Sequence, residues 1–273
     1  MSHKSYLIVV ATLMEIEPIL SFSTIISETL FTSGVKIISA KLSSSVNIDF
    51  QIVITGVGVV NAAHGLTLSL EKIRCNQNRE PYPKCDSRDL IIIHTGIAGS
   101  FEGSGLNIGD IAVATSDTYI HTGVSPNKSF SYPNQPLPFD VLPEKFLLKS
   151  NDYKTNREGR FIFDKAMVQN SCYAIKNRVT KNSNFRVITG DFITVSTITS
   201  SKEQADHIFK AFSRPCMESM EGAALAHIAA LYNIPFIEVR AASNLVGIRD
   251  KEAWDMPLAC ERASFAVVSI LNN

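Results

Sequence analysis

The chain has 273 residues, with 26 Lys and Arg against 26 Asp and Glu, so its formal net charge is zero with histidine neutral. That balance excludes binding to nucleic acid or anionic lipid through an overall field, and 45% apolar with 19% charged residues describe a chain that buries a full core. At about 150 residues per domain the length allows one large α/β domain or two small ones.

The first strand is expected at residues 6 to 11 (YLIVVA). Its apolar run is broken by Glu15 and Glu17 before it reaches the form of a signal peptide, and no stretch approaches the roughly 18 apolar residues of a membrane helix, so a cytoplasmic, non-membrane protein is expected. A strand at 51 to 55 leads through Thr55-Gly-Val-Gly-Val-Val-Asn61 into a helix at 59 to 75. The turn lacks the third glycine and the later acidic residue of a dinucleotide fingerprint, so it reads as a tight strand-to-helix turn whose backbone can approach a ligand. Residues 76 to 89 read as a surface loop. A strand at 90 to 95 ends in His94-Thr-Gly-Ile-Ala-Gly-Ser100, a second glycine turn of the kind that lines the crevice at carboxyl ends of parallel strands.

A strand at 111 to 115 is followed by an excursion over 116 to 160 holding Pro126, Pro133, Pro136, Pro138 and Pro143. Helices at 165 to 178, 201 to 211, 219 to 232 and 257 to 271 and strands at 186 to 190 and 235 to 241 complete the pattern. The strands are apolar on consecutive positions, which suits a sheet covered on both faces, so the expected fold is a three-layer α/β/α domain. The five cysteines form no C-x-x-C pair, the histidines fall at no metal-ligand spacing, and no G-x-S-x-G elbow or P-loop occurs. No metal and no cofactor is expected.

Read together, M-E-x-E after the first strand, T-G-x-A-G after a central strand, G-D-F-I, then E-S-M-E-G-A-A-x-A-H and V-R-A-x-S-N resemble the nucleoside phosphorylase superfamily, within it the methylthioadenosine nucleosidase branch. The ending Arg240-Ala-Ala-Ser-Asn-Leu-Val-Gly-Ile-Arg-Asp250, with Trp254 soon after, is similar to the futalosine hydrolases of menaquinone biosynthesis. The resemblance runs from about residue 6 to residue 271. It implies one domain over 1 to 273 with a mixed, mostly parallel sheet and two loop insertions, a nucleoside substrate, and a homodimer. The superfamily's phosphorylases hold phosphate with arginines after the first strand and in the central turn, where this chain has Leu13-Met14-Glu15 and Gly96-Ile97-Ala98. Water is therefore the expected acceptor.

By the same resemblance Glu17 deprotonates the water, Glu221 binds the ribose hydroxyls and stabilises the oxocarbenium-like sugar, and Asn244 handles the base edge. Met14, Val57, Ile97, Ala98, Gly99, Phe192, Ile193, Ser219, Met220 and Ser243 pack around sugar and purine, and Arg249 is a candidate for the benzoate-bearing arm of futalosine. Where adenine-specific nucleosidases carry Asp, Asn244 offers an NH₂ to a 6-oxo group and a carbonyl to a protonated N7, a pattern that fits hypoxanthine. Three functions stay open: a futalosine hydrolase releasing hypoxanthine, a methylthioadenosine/S-adenosylhomocysteine or aminodeoxyfutalosine nucleosidase, and a non-catalytic nucleoside-binding domain.

Overall fold

A computed structural model describes residues 5–43, 48–77, 90–125, 134–142, 158–180 and 183–273. The expected loop at 76 to 89 lies almost wholly outside those residues, and so does much of the 116 to 160 excursion.

The first strand, β1 (Ser5–Val10), shows why the apolar runs are continuous. Leu7 and Val9 pack into one cluster with Ala62, Leu66 and Leu70 of helix α2 (Val59–Gln77), while Ile8 and Val10 face a second cluster with Ala259, Ala263 and Val267 of helix α6 (Met256–Leu271). A strand buried on both faces has no polar side to alternate with. β1 pairs in parallel with β4 (Ile48–Ile54) and with β5 (Leu90–Ser100), and β3 (Lys36–Leu42) and β2 (Ser23–Leu30) extend that edge in antiparallel sense.

On the other side, β5 pairs in parallel with β10 (Phe236–Leu245). β10 pairs with β6 (Ile111–Tyr119), β6 with β8 (Val187–Thr194), β8 with β9 (Met217–Ser219) and β9 with β5 again. These five strands close into a ring, while β7 (Arg160–Ile162) hangs on β6. Helix α5 (Gly222–Tyr232) shares the α2 layer; α1 (Glu17–Leu20) and α3 (Lys165–Lys176) share the α6 layer, and α4 (Lys202–Ala211) packs Ala205 and Ile208 beside Val195. The fold is the expected three-layer arrangement with a mixed sheet, but among the described residues five strand pairings are parallel and five antiparallel, so the sheet is not mostly parallel.

Strands β2, β3, β7 and β9 were not expected, and β5, β6, β8 and β10 run four or five residues past their expected ends. The β2–β3 hairpin was not anticipated, because β2 is an edge strand with Ile25, Ile26 and Leu30 exposed and no burial alternation. β6 runs on to Tyr119, four residues into the expected excursion, because its polar residues Ser116 and Asp117 are buried and bonded. β9 has three residues, too short to register as an apolar run. Among the described residues no helix is long and apolar enough to cross a membrane.

Candidate active site

A cleft of about 830 Å³, counted with its open mouth, lies where β1, β5 and β10 end, the position at which parallel sheets present ligands. Its back wall is organised by one cation. Arg240 of β10 is fully buried; it donates from Nε to Glu238 Oε1 at 3.2 Å, from Nη1 to the Ile97 carbonyl at 3.2 Å, and from Nη2 to Glu221 Oε2 at 3.3 Å and to His94 Nε2. Glu15 Oε1 lies 4.0 Å from Nη1. His94 is kept neutral, since burial and the Arg240 charge push its pKa well below the usual value; Nδ1–H donates to the Val9 carbonyl at 3.0 Å and leaves Nε2 as the acceptor. Behind Glu238, burial and the neighbouring carboxylate hold Asp117 well above the usual carboxylate range, so this pair keeps a proton.

Glu15 is the carboxylate aimed into the cleft. Its Oε2 accepts from Thr12 N at 2.8 Å and Thr12 Oγ1 at 3.1 Å, and its Oε1 from Ile97 N at 3.1 Å. Burial raises its pKa, opposed by Arg240 and the two N–H donors. Gly96 makes room for it: with φ at 139° it adopts a backbone most residues avoid, and a side chain there would collide with the Glu15 carboxylate and Arg240 Nη1.

Glu17 is not in the cleft. It occupies the first position of α1, ahead of Pro18, and is exposed. The chain turns helically after β1, with Ile16 N and Glu17 N both bonded to the Leu13 carbonyl, so residues two apart point roughly 200° away from each other and only one of the two glutamates can face inward. The residue carrying Pro at its back fills the helix start; the inward one is Glu15. Glu17→Gln should therefore change turnover by no more than about twofold, the range of an ordinary surface substitution. A hundredfold loss in steady-state kcat would return the base role to Glu17.

Glu221 caps α5, almost fully buried, its Oε1 accepting from Gly58 N at 2.9 Å. The Gly58 turn before α2 thus serves an acid of this chain directly. Of the other expected residues, Met14, Val57, Ile97, Ala98 and Gly99 line the cleft from the β1, β4 and β5 side, and Ser219, Met220, Ser243 and Asn244 from β9 and β10. Phe192 and Ile193 do not. Phe192 is buried against Met217 among Ala98, Ala112, Ala114 and Ala242, while Ile193, the next residue of the strand, faces the other way against Phe101 and Ile208 of α4; the wall they were expected to form is made by Val195, Ile198 and Thr199 beyond the strand end.

The site has two levels along β5. At Gly96, in register with Arg240, sits the Glu15–Arg240–Glu221 group. At Gly99, three residues or about 10 Å further on, β10 contributes Asn244 and β9 contributes Glu218 on the opposite flank. Ser243 is an extra residue in β10, a bulge that sets Asn244 opposite Gly99. The Ser243 hydroxyl lies 2.8 Å from Asn244 Oδ1, and Nδ2 donates to the Leu245 carbonyl at 3.1 Å, so one N–H and one lone pair of the amide stay free. Ser219 Oγ is buried on this wall without a partner, a hydroxyl that a ligand would satisfy. Arg249 and Trp254 also line the cleft, the guanidinium 4.8 Å from the indole centroid.

The sequence pattern of the phosphorylase superfamily matches residues 6–272. The chain belongs to the phosphorylase superfamily. Among superfamily relatives, the 5′-methylthioadenosine/S-adenosylhomocysteine nucleosidase of Haemophilus ducreyi is 28% identical over 268 residues, 97% of each chain. The protein of the same name from Desulfotalea psychrophila is 28% identical over 70% of this chain, which spans 64% of that relative's length. The futalosine hydrolase of Acidothermus cellulolyticus is 34% identical over 83 residues, 30% of this chain and 34% of its own. In three dimensions the chain superposes on the methylthioadenosine/S-adenosylhomocysteine nucleosidase of Colwellia psychrerythraea, solved in complex with adenine, with a TM-score of 0.74 at 20% identity, covering 100% of this chain and 96% of that one.

Arg240, Glu218, Thr199 and the inward placement of Glu15 were not anticipated from sequence. Arg240 reads as one member of a strand, and its three carboxylate partners come from the β1 turn, the α5 cap and β10 itself, which only the folded ring brings together.

Proposed function

We propose that this protein is an N-ribosyl hydrolase of purine nucleosides. The observation that carries this reading is the pair of buried carboxylates, Glu15 and Glu221, held on Arg240 at the Gly96 level. Cleaving a ribosyl C–N bond passes through a cationic sugar. In this reading Glu221, turned to the cleft and charged beside Arg240, stabilises that cation and accepts from the ribose hydroxyls. Glu15 takes a proton from the water attacking C1′, the C1′–N9 electron pair leaves with the base, and the departing base takes up a proton at N7 from solvent at the open mouth of the cleft. Two carboxylates beside the reacting carbon repel a phosphate nucleophile and favour neutral water, so hydrolysis fits better than phosphorolysis. A domain that only bound nucleoside would gain nothing from holding Glu15 desolvated.

Two substrate readings have separate support. Asn244 supports a hypoxanthine nucleoside of the futalosine type: its amide donates to O6 and accepts from N7–H, a proton present only as the base leaves, so the bond strengthens in the transition state. The names of the relatives matched over most of the chain support methylthioadenosine or S-adenosylhomocysteine, and they weigh more heavily than the short futalosine hydrolase match. Incubating the purified protein with futalosine, methylthioadenosine and inosine, with and without phosphate, and identifying the released base decides between them; a phosphate requirement would overturn the hydrolase reading. Asn244→Asp should move preference from 6-oxo toward 6-amino purines by about tenfold or more, the scale of one polar contact to a base. An unchanged ratio of hypoxanthine to adenine release would remove Asn244 from base selection.

A further inference from the structure

Glu218 is an acid of the cleft that the reaction as derived does not use. It sits on β9, almost fully buried, opposite Gly99. Its Oε1 accepts from Thr199 N at 3.1 Å and its Oε2 from Thr199 Oγ1 at 2.5 Å. Both oxygens thus receive donors, which favours the ionised form, and each retains a lone pair. Burial is the larger influence and raises the Glu218 pKa, opposed by the two Thr199 donors and by the Arg249 charge.

Its placement relative to Asn244 gives it a partner. The two residues stand on strands flanking β5 at the same level, with Gly99 between them, so their backbones are about 10 Å apart, two strand spacings. Gly99 presents no side chain there; a Cβ would meet Val246 Cγ2 at 3.0 Å and Asn244 Nδ2 at 3.3 Å. A flat ring seated over Gly99 meets the amide on one edge and the carboxylate on the other. With N7 and O6 of a purine on Asn244, the next position round the ring is N1.

We propose that Glu218 reads N1 of the bound purine: as a carboxylate it accepts the N1–H of a 6-oxopurine and rejects a 6-aminopurine, whose N1 carries a lone pair. This rests on the nucleosidase reading above and assigns base selection to two residues instead of one. The contact is charge-assisted in one case and repulsive in the other, and a residue built to pair with a substrate N–H discriminates strongly against its absence.

The test uses 5′-methylthioinosine and 5′-methylthioadenosine, which differ only at N1 and C6. Glu218→Gln keeps the shape and an acceptor for Thr199 N but removes the charge. Its ratio of kcat/KM for the inosine over the adenosine compound should fall at least tenfold from wild type, the scale of a charge-assisted hydrogen bond, through loss on the inosine compound. Equal losses on both compounds would reduce Glu218 to a support for the Thr199 loop and overturn the proposal. Wild-type protein that releases a base from none of futalosine, 5′-methylthioinosine and 5′-methylthioadenosine refutes the nucleosidase reading itself; an active enzyme whose ratio ignores the substitution refutes only the role of Glu218. Should the variant fail to fold, wild-type protein still answers by calorimetry: 1-methylhypoxanthine, lacking N1–H, should bind at least tenfold more weakly than hypoxanthine, and equal or undetectable binding of the two overturns the assignment.

Discussion

Glu15→Gln should lower kcat by about a hundred- to ten-thousand-fold, the contribution of a positioned general base, with little change in substrate affinity or melting temperature. The amide is isosteric and its oxygen can still accept from Thr12 N or Ile97 N, the two backbone donors that fix the carboxylate. What disappears is the capacity to take a proton from water. The pH profile gives an independent signature. Burial raises the Glu15 pKa, so as pH falls the base is protonated, and lost, above the ordinary carboxylate range. Wild-type kcat should therefore decline on an acid limb with its midpoint above 4.5, and the residual activity of the variant should lack that limb. Full turnover by Glu15→Gln, measured as base released per enzyme, would remove the residue from the mechanism.

Arg240→Leu has the largest expected effect on stability. Arg240 lies within 3.3 Å of Glu238 and Glu221 and at 4.0 Å from Glu15, all buried. Removing the shared cation leaves carboxylates uncompensated in the interior, which costs about 3–5 kcal/mol and lowers the melting temperature by about 6–20 °C for a chain of this size. Arg240→Lys should not restore the wild-type melt, because one ammonium cannot reproduce the fork that reaches Glu238, Glu221 and the Ile97 carbonyl together. A thermal melt of Arg240→Leu within a degree or two of wild type would show that Asp117 and its neighbours take up protons at no cost.

Much of the layer order was legible because strands such as β1 are apolar on every position after Ser5 and helices such as α6 carry apolar residues at three- and four-residue steps, signals that need no partner to be recognised. β2 was not legible, since an edge strand whose apolar residues face outward has neither pattern. The site was legible where motif and strand end coincide: Gly99, Met220, Glu221 and Asn244 all fall in the cleft. It failed at Glu15 and Glu17, where two identical side chains two residues apart compete and only the turn after Val10 decides which is buried. It failed also at Phe192 and Ile193, because the strand runs past its expected end at 190 and carries both side chains into packing on its two opposite faces. Glu218 escaped notice because its partner is the distant Thr199, 19 residues earlier.

The closed ring bears on how the molecule is made. β5 cannot acquire its second parallel neighbour, nor Glu15 and Glu221 their cation, until Phe236–Leu245 is available, and that strand follows every other one in chain order. A growing chain that has finished β1 through β9 therefore exposes an open strand edge and acids still in water, a state of high contact order and prone to aggregation. β10 both closes the ring and charges the site, so catalytic competence arrives no earlier than ring closure, and a molecule with the ring still open has no partial activity to offer.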